Sequence, residues 1–157
     1  MEAVFDGHND VLLRLWRNAE SGADPVEEFA GGTTEGHIDG PRSRVGGLVG
    51  GLCAIYIPSG HLQLKEPDSN GYYATPLSEP LQRQPSLEIG VQKAAIALRL
   101  EEAGAWRLCR ASSDIAEAMK DGVFAAVLHL EGCEPIDRDL SALDVFYAAG
   151  LRSLGPV

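Results

Sequence analysis

Two apolar runs constrain this chain more than any other feature. Leu48 to Ile57 (LVGGLCAIYI) and Val123 to Leu130 (VFAAVLHL) show little alternation of apolar and polar residues. A strand wetted on one side would alternate. Continuous runs fit strands covered on both faces, as in a parallel sheet. Pro58 ends the first run, and Glu131 stands at the end of the second.

The intervening segments read as helices and loops. Val4-Phe5 is a brief buried strand whose end, Asp6-Gly7-His8-Asn9-Asp10, is polar. Val11 to Trp16 is apolar and helical. Residues 18–47 are rich in Gly, Glu, Asp and Thr and read mostly as loop. Residues 59–86 hold Pro67, Pro76, Pro80 and Pro85 and read as a long loop. Ser86 reads as the N-cap of a helix over Leu87–Ala103, which Gly104 stops. Asp114 and Glu117 have capping-box spacing before a short helix ending near Gly122. Asp139 can cap a helix over Leu140–Ala149, and Leu151–Val157 starts a fourth strand. Strands and helices therefore alternate, the signature of βα units around a parallel sheet.

Composition sets outer limits. The chain has 157 residues, enough for one domain with its own core. Acidic residues outnumber basic ones by 23 to 13, giving a net charge of −10, which argues against nucleic acid as a partner. Cys53, Cys109 and Cys133 are odd in number and unpaired in spacing, so reduced thiols in a cytoplasmic protein are the simpler reading. The first residues lack the pattern of a secretory signal, and no apolar run approaches the roughly 18 residues of a membrane span. We expect a soluble chain without a membrane anchor.

His8 and Asp10 are the sharpest chemical feature. On an extended segment alternate residues share a face, and these two would start about 7 Å apart. An imidazole and a carboxylate converging from there can hold a divalent ion such as Zn, Mn or Co. A hydrogen-bonded structural pair is the competing reading, because His-x-Asp is a short motif. His37 and Asp39 repeat the spacing without an apolar strand before them. They read as a surface or buttressing loop and are not assigned to a metal.

Glu131 follows a buried strand, where a carboxylate is costly unless paired. A metal would stabilise it; so would Arg152, or exposure at the strand tip. His129 shares its side of the strand and reads as a satisfied core histidine rather than a ligand. The cluster Gly46-Gly47-Leu48-Val49-Gly50-Gly51 matches no phosphate loop and fits close backbone packing at a strand entry. No Ser-His-Asp or Cys-His signature stands out.

These segments together resemble the membrane (renal) dipeptidase family. The resemblance rests on Asp6-Gly7-His8-Asn9-Asp10, on His37-Ile38-Asp39-Gly40-Pro41-Arg42 with Gly46-Gly47, and on Ala54-Ile55-Tyr56-Ile57-Pro58. It continues through Glu131-Gly132, Asp139-Leu140, Leu143, Phe146-Tyr147 and Gly150-Leu151-Arg152. It implies the N-terminal half of a (β/α)8 TIM-type barrel. It also implies zinc, two ions in the complete fold, with His8, Asp10 and Glu131 as ligands and Glu131 bridging. The implied reaction is hydrolysis of a dipeptide substrate by a metal-activated water. The family's later histidine ligands and proton-transfer Asp have no counterpart before Val157, and catalytic residues are not assigned.

A complete barrel takes about 250 residues, and four strands would leave two unpaired edges. The expectation is a partial barrel domain over residues 1–157, truncated and inactive alone. A non-catalytic oligomerising half-barrel, closed as a homodimer, is one alternative. Another amidohydrolase-like metal hydrolase is the second, although His8-Asn9-Asp10 lacks the His-x-His of those enzymes. The segment Ser59–Pro85, with Tyr72 and Tyr73, is expected to act as a substrate lid.

Overall fold

In the computed structural model, residues 2–59, 66–75 and 79–156 are described. The chain opens with β1 (Val4–Asn9), followed by α1 (Val11–Glu20), α2 (Pro25–Gly31) and α3 (Gly40–Gly46). Then come β2 (Leu48–Tyr56), α4 (Arg83–Glu102), β3 (Arg107–Leu108) and α5 (Ser112–Asp121). β4 (Ala125–Glu131), α6 (Ser141–Ala148) and β5 (Leu151–Gly155) complete the order.

All strand pairings are parallel. β1 pairs with β2, and β2 runs the full length of β4, from Gly50 opposite Ala125 to Tyr56 opposite Glu131. Along the other edge of β4, β3 takes Ala125 and Ala126, and β5 takes Leu128 to Glu131. The α/β class and parallel sheet are as expected. Among the described residues the strands number five rather than four, because the two-residue β3 carries no periodic signal.

Burial on β4 alternates, contrary to the expectation of cover on both faces. Ala126, Leu128 and Leu130 are buried, whereas Val127, His129 and Glu131 are half-buried. The first set packs against Leu12 and Leu15 of α1, Phe29 of α2, and Ile96 and Leu100 of α4 in one core. Helices therefore cover that face, and the His129–Glu131 face stays more open. Phe29, Trp106 and Phe124 form an aromatic cluster with centroids 5.4–6.3 Å apart. The Trp106 indole donates to the Ala97 carbonyl at 2.9 Å, so its polar atom is satisfied in the core.

Residues 18–47 are more ordered than their composition suggests. Asp24 accepts from the backbone N–H groups of Val26 and Glu27, and Pro25 opens α2. Asp39 does the same for α3 from the Arg42 N–H at 2.8 Å. An acidic N-cap with proline in the first turn starts a helix that a Gly-rich composition conceals.

Three helix starts also differ from expectation. α4 begins at Arg83, and the Ser86 hydroxyl lies within it, donating to the Gln82 carbonyl at 2.8 Å. Asp114 is the third helical residue of α5, and its carboxylate reaches back to the N–H groups of Arg110 and Ala111. Asp137, not Asp139, accepts from Ser141 and Ala142 at the start of α6, both at 2.9 Å. The turn between them puts Leu140 at φ 61°.

The glycine cluster behaves as a packing device. A Cβ on Gly50 would collide with the Ala125 carbonyl, and would stand 2.9 Å from the Phe5 ring. Residues 60–65 and 76–78, which belong to the expected lid, lie outside the described residues. Within the remainder, Tyr72 and Tyr73 are exposed, and Asp68 ties a turn by accepting from the N–H groups of Asn70 and Tyr72. Among the described residues no helix is long and apolar enough to cross a membrane.

Candidate metal centre

β1 delivers His8 to the C-terminal rim of the sheet, and Asp10 follows at the N-cap of α1. The Asp10 carboxylate makes no capping hydrogen bond. Asn9 takes part of that role, its side-chain Oδ1 accepting from the Val11 N–H at 3.4 Å. The Asn9 amide donates to Asp6 at 3.1 Å. Asp6 and Asn9 thus bond each other and leave His8 and Asp10 for other partners.

Glu131 ends β4, and β2 lies between it and β1. At ~4.8 Å per strand spacing the two backbones stand roughly 10 Å apart. The side chains close that gap. His8 Nε2 lies 3.3 Å from Glu131 Oε2 and 3.9 Å from Asp10 Oδ1. One ligand atom from each of the three residues falls within 4.8 Å of the others. His8 and Asp10 are exposed and Glu131 is half-buried, so an ion could enter from solvent.

An imidazole nitrogen with two carboxylate oxygens is a donor set that suits zinc, manganese or cobalt. The residues present fit such an ion. Arg152, the competing partner for Glu131, is engaged elsewhere: it donates to the carbonyls of Arg110, Tyr147 and Leu151 and stacks on the Tyr147 ring.

His129 stands beside this group without joining it. Its Nδ1 is 2.8 Å from Ser153 Oγ on β5, and its ring meets that of His8 edge-on at 5.7 Å. Burial, then the neighbouring His8, lowers its pKa, while Glu131 pulls the other way. It is a hydrogen-bonded histidine on the rim.

His37 and Asp39 stay out of the ligand group. His37 is exposed on the wall of a cavity of about 490 Å³ that also borders His8, Asp10, Arg14, Glu35 and Ile38. Asp39 is buried at 1% exposure and holds that wall in place. Its carboxylate accepts from the Thr33 N–H at 3.2 Å and from Arg42 Nε at 2.6 Å. Arg42 in turn donates to the carbonyls of Gly36 and Glu35. Burial raises the Asp39 pKa, but the Arg42 and Thr33 hydrogen bonds outweigh it and the net shift is downward. The buttressing role read for this loop describes Asp39.

Lys93 is a nearby feature that sequence reasoning missed. It is fully buried on α4, and its ammonium donates to the carbonyl of Tyr56, the residue opposite Glu131. Its signal was present: Lys93 falls on the helical stripe of Ser86, Gly90, Ala97 and Leu100, all buried.

Residues 2–157 match the family described as Membrane dipeptidase (Peptidase family M19). The chain belongs to the membrane dipeptidase family. An uncharacterized protein in the PQQ-III 3′ region of Acinetobacter calcoaceticus is 35% identical over 155 residues, covering 98% of this chain and 48% of that protein. Among solved structures, dipeptidase AC, a metallopeptidase of family M19, superposes with a TM-score of 0.82 at 36% identity. It is covered over 42% of its length, against 99% of this chain. A metallopeptidase from Rhodobacter sphaeroides, liganded with a phosphinate mimic of the dipeptide L-Ala-D-Ala, gives the same TM-score at 33% identity. This chain covers 45% of it, again over 99% of its own length. The chain thus spans under half of these membrane dipeptidase relatives, and its sheet corresponds to part of their TIM-type barrel.

Proposed function

We propose that this chain supplies His8, Asp10 and Glu131 as ligands to a zinc centre for dipeptide hydrolysis. The convergence of the three ligand atoms within 4.8 Å carries the proposal. Among the described residues, neither carboxylate is committed to a helix cap or to an arginine or lysine pair, so their lone pairs are available.

Zinc bound at such a site supplies Lewis acidity to a carbonyl oxygen and to water. The protein's part is to present the donors in the right protonation state. His8 must be neutral and both carboxylates ionised to coordinate, so binding displaces any proton they hold. The cavity beside His8 and Asp10 has room for a small substrate, and the Asp39–Arg42 knot fixes its outer wall. A dipeptide is the proposed substrate class, supported by the dipeptide mimic bound to the Rhodobacter relative.

Zinc content after dialysis, measured by mass spectrometry on the purified chain and on His8→Ala, tests the ligand set. The wild-type chain should retain zinc and the variant should lose it. Equal content in both would remove His8 from the centre.

A further inference from the structure

Lys93 places a positive charge where the fold offers it little water. No part of its side chain is exposed. The ammonium donates to the Tyr56 carbonyl and lies 5.0 Å from the centre of the Trp16 ring and 6.0 Å from that of Tyr56. Among the described residues no carboxylate pairs with it directly. An ammonium buried this way costs free energy unless other charges offset it.

The offsetting charges include those of the candidate centre. Burial draws the Lys93 pKa down to about 8; Asp10 opposes that fall, Arg17 adds to it, and Glu131 and Glu20 also oppose it. The carbonyl that Lys93 binds ends β2 directly opposite Glu131. Lys93 is thus linked to the centre through space and through one strand end.

Resting on the metal-centre reading above, we propose that Lys93 is a built-in counter-cation: a positioning residue that balances Asp10 and Glu131 when no ion is bound and opposes the ion that binds. Two carboxylates converging on one imidazole repel each other, and a buried cation within their field relieves that repulsion. A divalent ion reverses the local sign, and Lys93 then faces a like charge. Removing the charge while keeping the packing should therefore tighten zinc binding. A purely structural lysine, acting only as a tether for the Tyr56 carbonyl, predicts the opposite: its loss would loosen the end of β2 and weaken binding.

The test is zinc affinity by competition with a chromophoric chelator, on the whole chain, for wild type, Lys93→Met, Lys93→Gln and Lys93→Arg. Methionine keeps the apolar length, glutamine keeps an N–H donor, and arginine keeps the charge. Both neutral variants should bind zinc several-fold more tightly, the direction that relief of like-charge repulsion dictates. Arginine should bind as wild type does. Zinc should also raise the unfolding midpoint more in the neutral variants than in wild type. Should Lys93→Met fail to fold, Lys93→Gln decides. Neutral variants that bind zinc equally or less tightly, beside a zinc-binding wild type, overturn the role of Lys93 alone. A wild type that binds no zinc overturns the centre and this inference with it.

Discussion

Replacing Asp39 with alanine should destabilise the protein by about 2–4 kcal/mol, although Asp39 is not assigned to the metal. Its carboxylate accepts three hydrogen bonds, from Thr33 N, Arg42 N and Arg42 Nε. Loss of the helix cap accounts for about 1 kcal/mol. Loss of the charge-assisted bond to the guanidinium adds ~1.5–3 kcal/mol. The ~3–5 kcal/mol typical of breaking a buried ion pair does not apply in full, because the Arg42 side chain is 39% exposed and can turn to water. For a chain of this length each kcal/mol moves the midpoint by roughly 2–4 °C, so a fall of about 5–15 °C is expected. Urea and thermal unfolding followed by circular dichroism, without metal, provide the measurement. Asp39→Asn, which keeps an acceptor and loses the charge, should fall between wild type and alanine. An unfolding free energy for Asp39→Ala within about 0.5 kcal/mol of wild type would refute the reasoning, since the carboxylate would then contribute almost nothing to the wall it is bonded to.

Acid should expose the same residue. The folded pKa of Asp39 is lowered, so its stabilisation is present above the unfolded value of about 3.9 and is lost as pH falls through the folded one. Glu101 behaves alike: its hydrogen bond from Arg110 foremost lowers its pKa, against a weaker opposing effect of burial. Stability measured by urea midpoint should drop below pH ~4, and the drop should be smaller in Asp39→Asn. Gly50→Ala should cost about 1–3 kcal/mol through overpacking, because its Cβ meets the Ala125 backbone. An unchanged urea midpoint would show that β2 and β4 can separate enough to admit a methyl group.

The long elements were legible because their physics is local and repeated. The apolar runs of β2 and β4 and the helical stripe of α4 each extend over several turns or residues. The short elements were not. Arg107–Leu108 becomes a strand only because Ala125 and Ala126 lie alongside it, a contact that chain order does not reveal. α2 and α3 could have been found from Asp24-Pro25 and Asp39-Gly40-Pro41, where a capping carboxylate precedes a proline. Composition obscured that signal. At the site, His8 and Asp10 stood out by spacing. Their meeting with Glu131 depended on β2 lying between β1 and β4, and that is a property of the whole sheet. Lys93 was overlooked because a lysine in a helix is usually read as solvated, although its position on the apolar stripe said otherwise.

The placement of β4 bears on how the molecule is assembled on the ribosome. β2, β3 and β5 each take it as a neighbour, and it follows β1, β2 and β3 in the order of synthesis. Until residue 131 has emerged, β1 and β2 form a two-stranded parallel pair, and such a pair is weak by itself. The nascent chain therefore waits, with its apolar strand and helices uncovered, for one seven-residue segment to arrive.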